Sequence, residues 1–200
     1  MTSVDSILSF WIGTAADDPV VAGSKTKLWF MSSPAADHDL QLRFSNLLSE
    51  AEQGLLENWQ QCPLGGLALV ILLDQFSRNI YRGSASAFAN DDAALKIAKN
   101  IVTSGQHLSL KPIERVFLHM PFEHSESLEI QNQSVSLFKT LTTEATEEWR
   151  PQLKAFTDHA IEHREIISKF GRFPHRNKIL GRSNTAGENL YLQSAKTFGQ

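Results

Sequence analysis

What this sequence has little of narrows it first. Its one cysteine, Cys62, excludes an intramolecular disulfide framework and CxxC metal or redox chemistry. No apolar run approaches the length needed to span a bilayer, and the longest, Leu67 to Leu73, fits a buried core helix. Residues 1–30 lack the basic start and continuous apolar segment of a signal peptide, so the expected setting is reducing and cytoplasmic, with no membrane partner. There is no excess of positive charge. A net charge of -3, with Lys and Arg mostly dispersed, argues against nucleic acid as a partner, because counterion-release binding needs a clustered basic surface. No P-loop, nucleophile elbow or dinucleotide fingerprint occurs, and no cofactor is expected. His159 and His163 are spaced HxxxH, but no HExxH glutamate lies between them and no third ligand is evident, so no metal is expected.

Alternating polar and apolar runs of strand type are also missing, which leaves an all-α chain. Its 200 residues suffice for one core, so one domain, 1–200, is expected. Helical periodicity and caps place a first helix at Ser3 to Trp11 and a loop from Gly13 to Gly23. A brief helix follows from Lys25 to Met31, then a long one from the Ser33-Pro34 cap to about Asn58. Pro63 to about Tyr81 is apolar nearly all round at first, as a central buried helix would be. Further helices are expected at Asp92 to Thr103, from Pro112 to a break at Pro121, to about Leu141, and through Phe156, Ala160, His163 and Ile167 to Phe170. Thr185 and Glu188 have capping-box spacing and announce a last short helix. About eight helices with short connections imply an antiparallel helical array.

The stretch His163 to Arg182 is too rich in functional side chains for a plain connector. Gly171 suits a left-handed helix stop and Pro174 the first turn of a following helix. His175, Arg176 and Asn177 then fall in that first turn, where free backbone N–H groups favour an anion, and Gly181 with Arg182 ends the short helix. A second polar group grows out of the central helix, where Leu67, Ile71, Asp74, Arg78 and Arg82 share a face that starts apolar and ends charged. It reads either as a solvated ion pair or as an Arg pair held by Asp74 toward a pocket. Glu123, His124, Ser125 and Glu126 form a third group at a turn. They are suited to acid/base work, or to no more than helix capping.

The blocks DQFSRNIYRG at 74–83, ERVFLHMPFEHSE at 114–126 and FGRFPHRNKILGR at 170–182, with Phe10-Trp11 and Trp29-Phe30, resemble a bacterial family known as domain of unknown function 924. The resemblance implies an all-helical, tetratricopeptide-like superhelix and no established activity. It matches Asp74, Gln75, Arg78, Asn79, Arg82, Arg115, His124, Ser125, Glu126, His163, Arg172, His175, Arg176, Asn177 and Arg182, and it groups three distant polar segments as parts of one pattern.

Three functions compete on these residues. A binding module would hold a small anionic molecule or an acidic peptide through Asp74, Arg78, Asn79, Arg82, Arg172, His175, Arg176, Asn177 and Arg182, since guanidinium groups grip carboxylate and phosphate bidentately. An enzyme of hydrolase or transferase type would use His124 or His163 as general base, oriented by Glu126 or Glu123. A scaffold would spend the same Arg and His residues on tying helix ends together. The sequence leaves the oligomeric state open.

Overall fold

A computed structural model describes residues 3–31 and 33–194. Among these the chain is all helix and turn, with no strand. Nine α-helices follow one another among the described residues. They are α1 Ser3–Trp11, α2 Pro19–Phe30, α3 Pro34–Glu52, and α4, which runs without interruption through Pro63–Val70, Ile71–Phe76 and Ser77–Ile80. The rest are α5 Asp91–Thr103, α6 Pro112–Glu123, α7 Leu128–Glu144, α8 Arg150–Phe170 and α9 Ala186–Leu192.

Local chemistry explains most boundaries, including those that differ from the sequence expectation. Asp18 accepts hydrogen bonds from the Val20 and Val21 N–H groups and Pro19 occupies the first turn, so α2 starts six residues before Lys25 and takes Gly23 into its interior. The long helix α3 stops at Glu52 rather than near Asn58, because Gly54 turns the backbone left-handed at φ +75°. Pro121 does not break α6, which continues to Glu123. The ring removes one N–H donor, but both flanking turns are buried and packed, and packing outweighs the lost bond. After Gly171, which ends α8 at φ +70°, the expected helix is one 3-10 turn, Pro174–Arg176.

The core explains why α4 sits centrally. Leu67 to Leu73 and Phe76 are all buried and touch α1, α3, α5 and α6. Trp11, Phe44, Phe76, Trp29 and Phe117 meet in edge-on or tilted aromatic contacts. The last carbonyls of α1 are not orphaned, because Lys25 donates to the Phe10 and Trp11 oxygens and the Trp29 indole donates to Trp11 O at 2.9 Å. Helices α7 and α8 form an antiparallel pair, as shown by cross-links that run in opposite directions along the two: Arg164 to Asn132, and Thr157 to Phe138 O and Thr142.

Two glycines let α4 approach its neighbours. A Cβ on Gly65 would collide with the Trp59 carbonyl oxygen, which is backbone, whereas one on Gly66 would meet the tip of the Ile101 side chain. Gly65→Ala is expected to lower stability by about 1–3 kcal/mol despite alanine's better helix propensity. Gly66→Ala should cost less, since a side chain can swing away. Urea denaturation of both variants checks the order.

The middle of α4 is a π turn. The Ser77 N–H donates to Leu72 O, five residues back, and the widened segment Ile71–Phe76 contains Asp74. Nothing in the residue pattern announced it.

Candidate functional site

The three polar segments meet. Asp74, from the π turn and fully buried, sits where α4 faces the end of α6. Its Oδ1 lies 2.6 Å from His124 Nδ1 and 3.2 Å from Arg78 Nη2, and its Oδ2 accepts from Gln75 Nε2 at 2.6 Å. Burial alone would raise its pKa, but the His124 and Arg78 partners outweigh that and hold the carboxyl well below the usual carboxylate range. Burial and Arg78 in turn lower His124, so the pair is an ionised Asp74 accepting from a neutral imidazole. With Nδ1 committed to Asp74, Nε2 is the ring nitrogen left for chemistry.

Arg78 links the first segment to the third. Its Nη2 also donates to Asp91 Oδ1 at 2.7 Å, and the other oxygen of Asp91 accepts from Arg176 Nη1 at 3.2 Å. The two guanidinium groups both stack on Phe88, 5.3 and 4.7 Å from its centroid, and Arg176 also lies over Phe173. Burial, together with Arg78, lowers Arg176 to about 10, so it remains charged at neutral pH. In each of these arginines the Nε is buried without a hydrogen-bond partner. Arg82, one turn on, makes a two-pronged bond to Asp37 at 2.7 and 3.0 Å and donates to Asn79 Oδ1 at 2.7 Å.

Glu123 and His163 form a second acid-imidazole pair next to the first. Glu123 Oε1 lies 3.1 Å from His163 Nδ1, which also lies 2.9 Å from His159 O. The His163 and His124 rings are 6.5 Å apart. Burial, with Asp74 and Glu162 adding negative charge, pushes Glu123 up to about 8, and burial drives His163 well below its ordinary value. Near neutral pH this pair is therefore an uncharged carboxylic acid beside an uncharged imidazole.

These groups border a cavity of about 350 Å³. Its lining mixes polar residues, among them Gln75, Arg78, Asn79, Glu123, His124 and His163, with the apolar Trp29, Phe30, Met120 and Phe156. His124 is shared with a second cavity of about 270 Å³, where Asp91, Ser125, Glu126 and Arg176 lie. The Asp74–Arg78 pair is thus buried rather than solvated, as the pocket-facing alternative required.

The remaining sequence candidates lie in a separate tie. Glu126 accepts from Arg182 at 2.6 and 2.9 Å and from the Phe173 N–H at 2.8 Å, contacts that hold its pKa down against burial. Arg172 grips Glu188 at 2.7 and 2.8 Å and lowers it to about 2, while Asn177 accepts from Arg182 Nε and donates to Asn184. The backbone N–H groups of Arg176 and Asn177 bond to Phe173 O and Pro174 O inside their own turn. Half-buried His175 stacks near Phe173 with a pKa lowered to about 3, mainly by burial. Among the described residues no group of three or more His, Cys, Asp or Glu side chains is arranged to hold a metal ion.

Sequence reasoning missed Asp91, the first residue of α5, and it missed Phe88 and the apolar residues of the cavity lining. Glu123 figured as one of an acid/base group at the turn and as a possible orienting group for a histidine, but its pairing with His163 was not foreseen. The orienting partner of His124 is Asp74, fifty residues away, and not Glu126.

A family model described as "Bacterial protein of unknown function (DUF924)" matches residues 7–196. Among solved structures, the protein of unknown function ATU0120 from Agrobacterium tumefaciens is similar, at 33% identity over 92% of this chain and 99% of that one, with a TM-score of 0.77. No curated protein matches.

Proposed function

The chain belongs to this bacterial family of unknown function, and from that premise we propose that its central cavity binds a small molecule with an anionic head and an apolar body. One observation supports this reading above the others: Arg78 makes all its hydrogen bonds through Nη2 alone. A guanidinium has five N–H donors; with Nη2 spent on Asp74 and Asp91 and Nε buried, the two donors on Nη1 stay unspent in a residue that lines the cavity. Asp74 and Asp91 fix the group in place, and the head of a carboxylate would take the donors that they leave. Trp29, Phe30, Met120 and Phe156 offer the body apolar contacts. The cavity volume is at the small end of ligand pockets and suits a small molecule better than a peptide.

Arg172, Asn177 and Arg182 fit the scaffold reading instead. Each is occupied by Glu188, Glu126 or a neighbouring amide, and Arg–carboxylate forks of this kind fasten the segment after α8 to the turn before α7.

Octanoate and octanamide are suitable probes, with Trp29 fluorescence as the readout. Octanoate should bind about tenfold or more tightly than the amide, a preference worth about 1.4 kcal/mol, and Arg78→Met should abolish it. Raising the pH through 8 ionises Glu123 in the cavity wall and should weaken octanoate while leaving octanamide unchanged. Equal affinity for the two probes at neutral pH would overturn the anionic-head reading.

A further inference from the structure

We propose that the cavity hydrolyses esters of small amphiphilic acids, with water as nucleophile, His124 as general base positioned by Asp74, and Glu123 as general acid. This rests on the binding reading above and adds chemistry to it. The geometry has the parts that such a reaction needs in the lining of one cavity. The Asp74–His124 contact of 2.6 Å fixes the imidazole with its proton on Nδ1 and a basic Nε2, the arrangement by which a buried carboxylate prepares a histidine to accept a proton. Glu123, the adjacent residue, lines the same cavity and supplies a carboxylic acid. Arg78 lines it too, with unspent donors for the oxygen that becomes negative.

The nucleophile is inferred from the lining. Among the described residues the lining includes no serine or cysteine, and the hydroxyl there, Thr26, lies on α2 with Trp29 and Phe30. His124 hydrogen-bonds Asp74 and no hydroxyl among the described residues. A Ser–His pair is thus absent among the described residues of this lining, and the base must act on water. In the step itself, water adds to the ester carbonyl as its proton passes to His124 Nε2, forming a C–O bond and an oxyanion beside Arg78. The tetrahedral adduct collapses, the bond to the leaving oxygen breaks, and that oxygen takes the Glu123 proton. The products are the acid, which ionises and releases one proton, and the alcohol. Transfer of a proton from His124 to Glu123 restores both groups. The acid product carries the anionic head and apolar body that the cavity is proposed to hold.

The test uses p-nitrophenyl esters from acetate to octanoate and ethyl octanoate, with the full chain and the variants His124→Gln, Glu123→Gln and His38→Gln. The last is an exposed histidine outside the cavity and controls for catalysis by any imidazole. His124→Gln should lower kcat by about a hundredfold or more, and His38→Gln should leave it unchanged. Nitrophenolate leaves without a proton, so Glu123→Gln should slow ethyl octanoate far more than the nitrophenyl esters. Asp74→Asn should lower kcat and move the pH at which the rate rises, an effect that a purely structural role would not have. Equal rates for the full chain and His124→Gln overturn the proposal. So does the absence of turnover in a protein that still binds octanoate, which leaves the binding reading standing; loss of octanoate binding as well removes both. Should His124→Gln not fold, the leaving-group selectivity of Glu123→Gln decides.

Discussion

Asp74→Ala is expected to lower the unfolding free energy by about 3–5 kcal/mol, among the largest effects of any single polar substitution in this chain. The carboxylate is fully buried and serves three donors at once: Gln75, Arg78 and His124. Removing it leaves a buried guanidinium with Asp91 as its remaining counter-charge and strips His124 Nδ1 of its acceptor. Asp74→Asn should cost less, because an amide oxygen can still accept from His124 although it carries no charge. The double variant Asp74→Ala with Arg78→Met should lose less than the sum of the two single losses, since the second change removes the charge that the first stranded. Urea midpoints for the four proteins check this. A loss below about 1 kcal/mol for Asp74→Ala would mean that the pair behaves as an exposed one.

Stability should peak near pH 6.5 and fall on both sides, for opposite reasons. His119 and His175 are lowered to about 3, His163 lies well below its ordinary 6.5, and His124 and His107 are lowered too, so the folded protein resists protonating imidazoles that the unfolded chain would protonate. From pH 6.5 downward the unfolded state therefore binds more protons, and stability is lost. Glu123 works the other way. Its folded pKa is raised to about 8 from 4.5, so between these values the folded state holds a proton that the unfolded state lacks, and stability falls as pH rises. Between about pH 4.5 and 6.5 the lowered histidines together outweigh the one raised acid, so stability rises with pH there. Above about pH 6.5 the histidine contribution fades and Glu123 reverses the slope, by at most about 1.4 kcal/mol per unit. Urea unfolding from about pH 4 to 9 measures the profile. Glu123→Gln should flatten its alkaline side and leave the acid side in place. Retention of the alkaline slope in that variant would show that Glu123 is ionised in the folded protein.

Several helix ends were legible where a cap, a proline or a glycine coincided with apolar spacing, although the Asp18-Pro19 start of α2 and the Gly54 stop of α3 were not recognised. The Thr185–Glu188 capping box, the Gly171 stop and the Ser33-Pro34 start all appear as the residues require. Ends set by packing were not legible. Pro121 reads as a break to any local rule, and only the buried turns around it explain why α6 runs on. The site divides along the same line. Asp74, Arg78 and His124 were identified as residue types with chemistry, but their grouping came from the resemblance. The contact between Asp74 and His124 spans fifty positions, a separation that no periodicity encodes. Asp91 shows the limit most plainly: at a helix start an acid has sufficient local reason to be present, which hides its bridging of Arg78 and Arg176.

The π turn in α4 makes that helix the equivalent of two α-helices differing in phase by one inserted residue. An α-helix advances about 100° per residue, so deleting one residue between Ile71 and Phe76 would restore an unbroken helix and rotate Arg78, Asn79 and Arg82 by about that angle away from the cavity relative to the apolar half. The apolar half of α4 can therefore serve the core and the polar half the cavity, each on its own bearing, without a break in the backbone. A one-residue deletion here would act as a directional change rather than a loss of side chains: helix content would be kept while the cavity lost its cations.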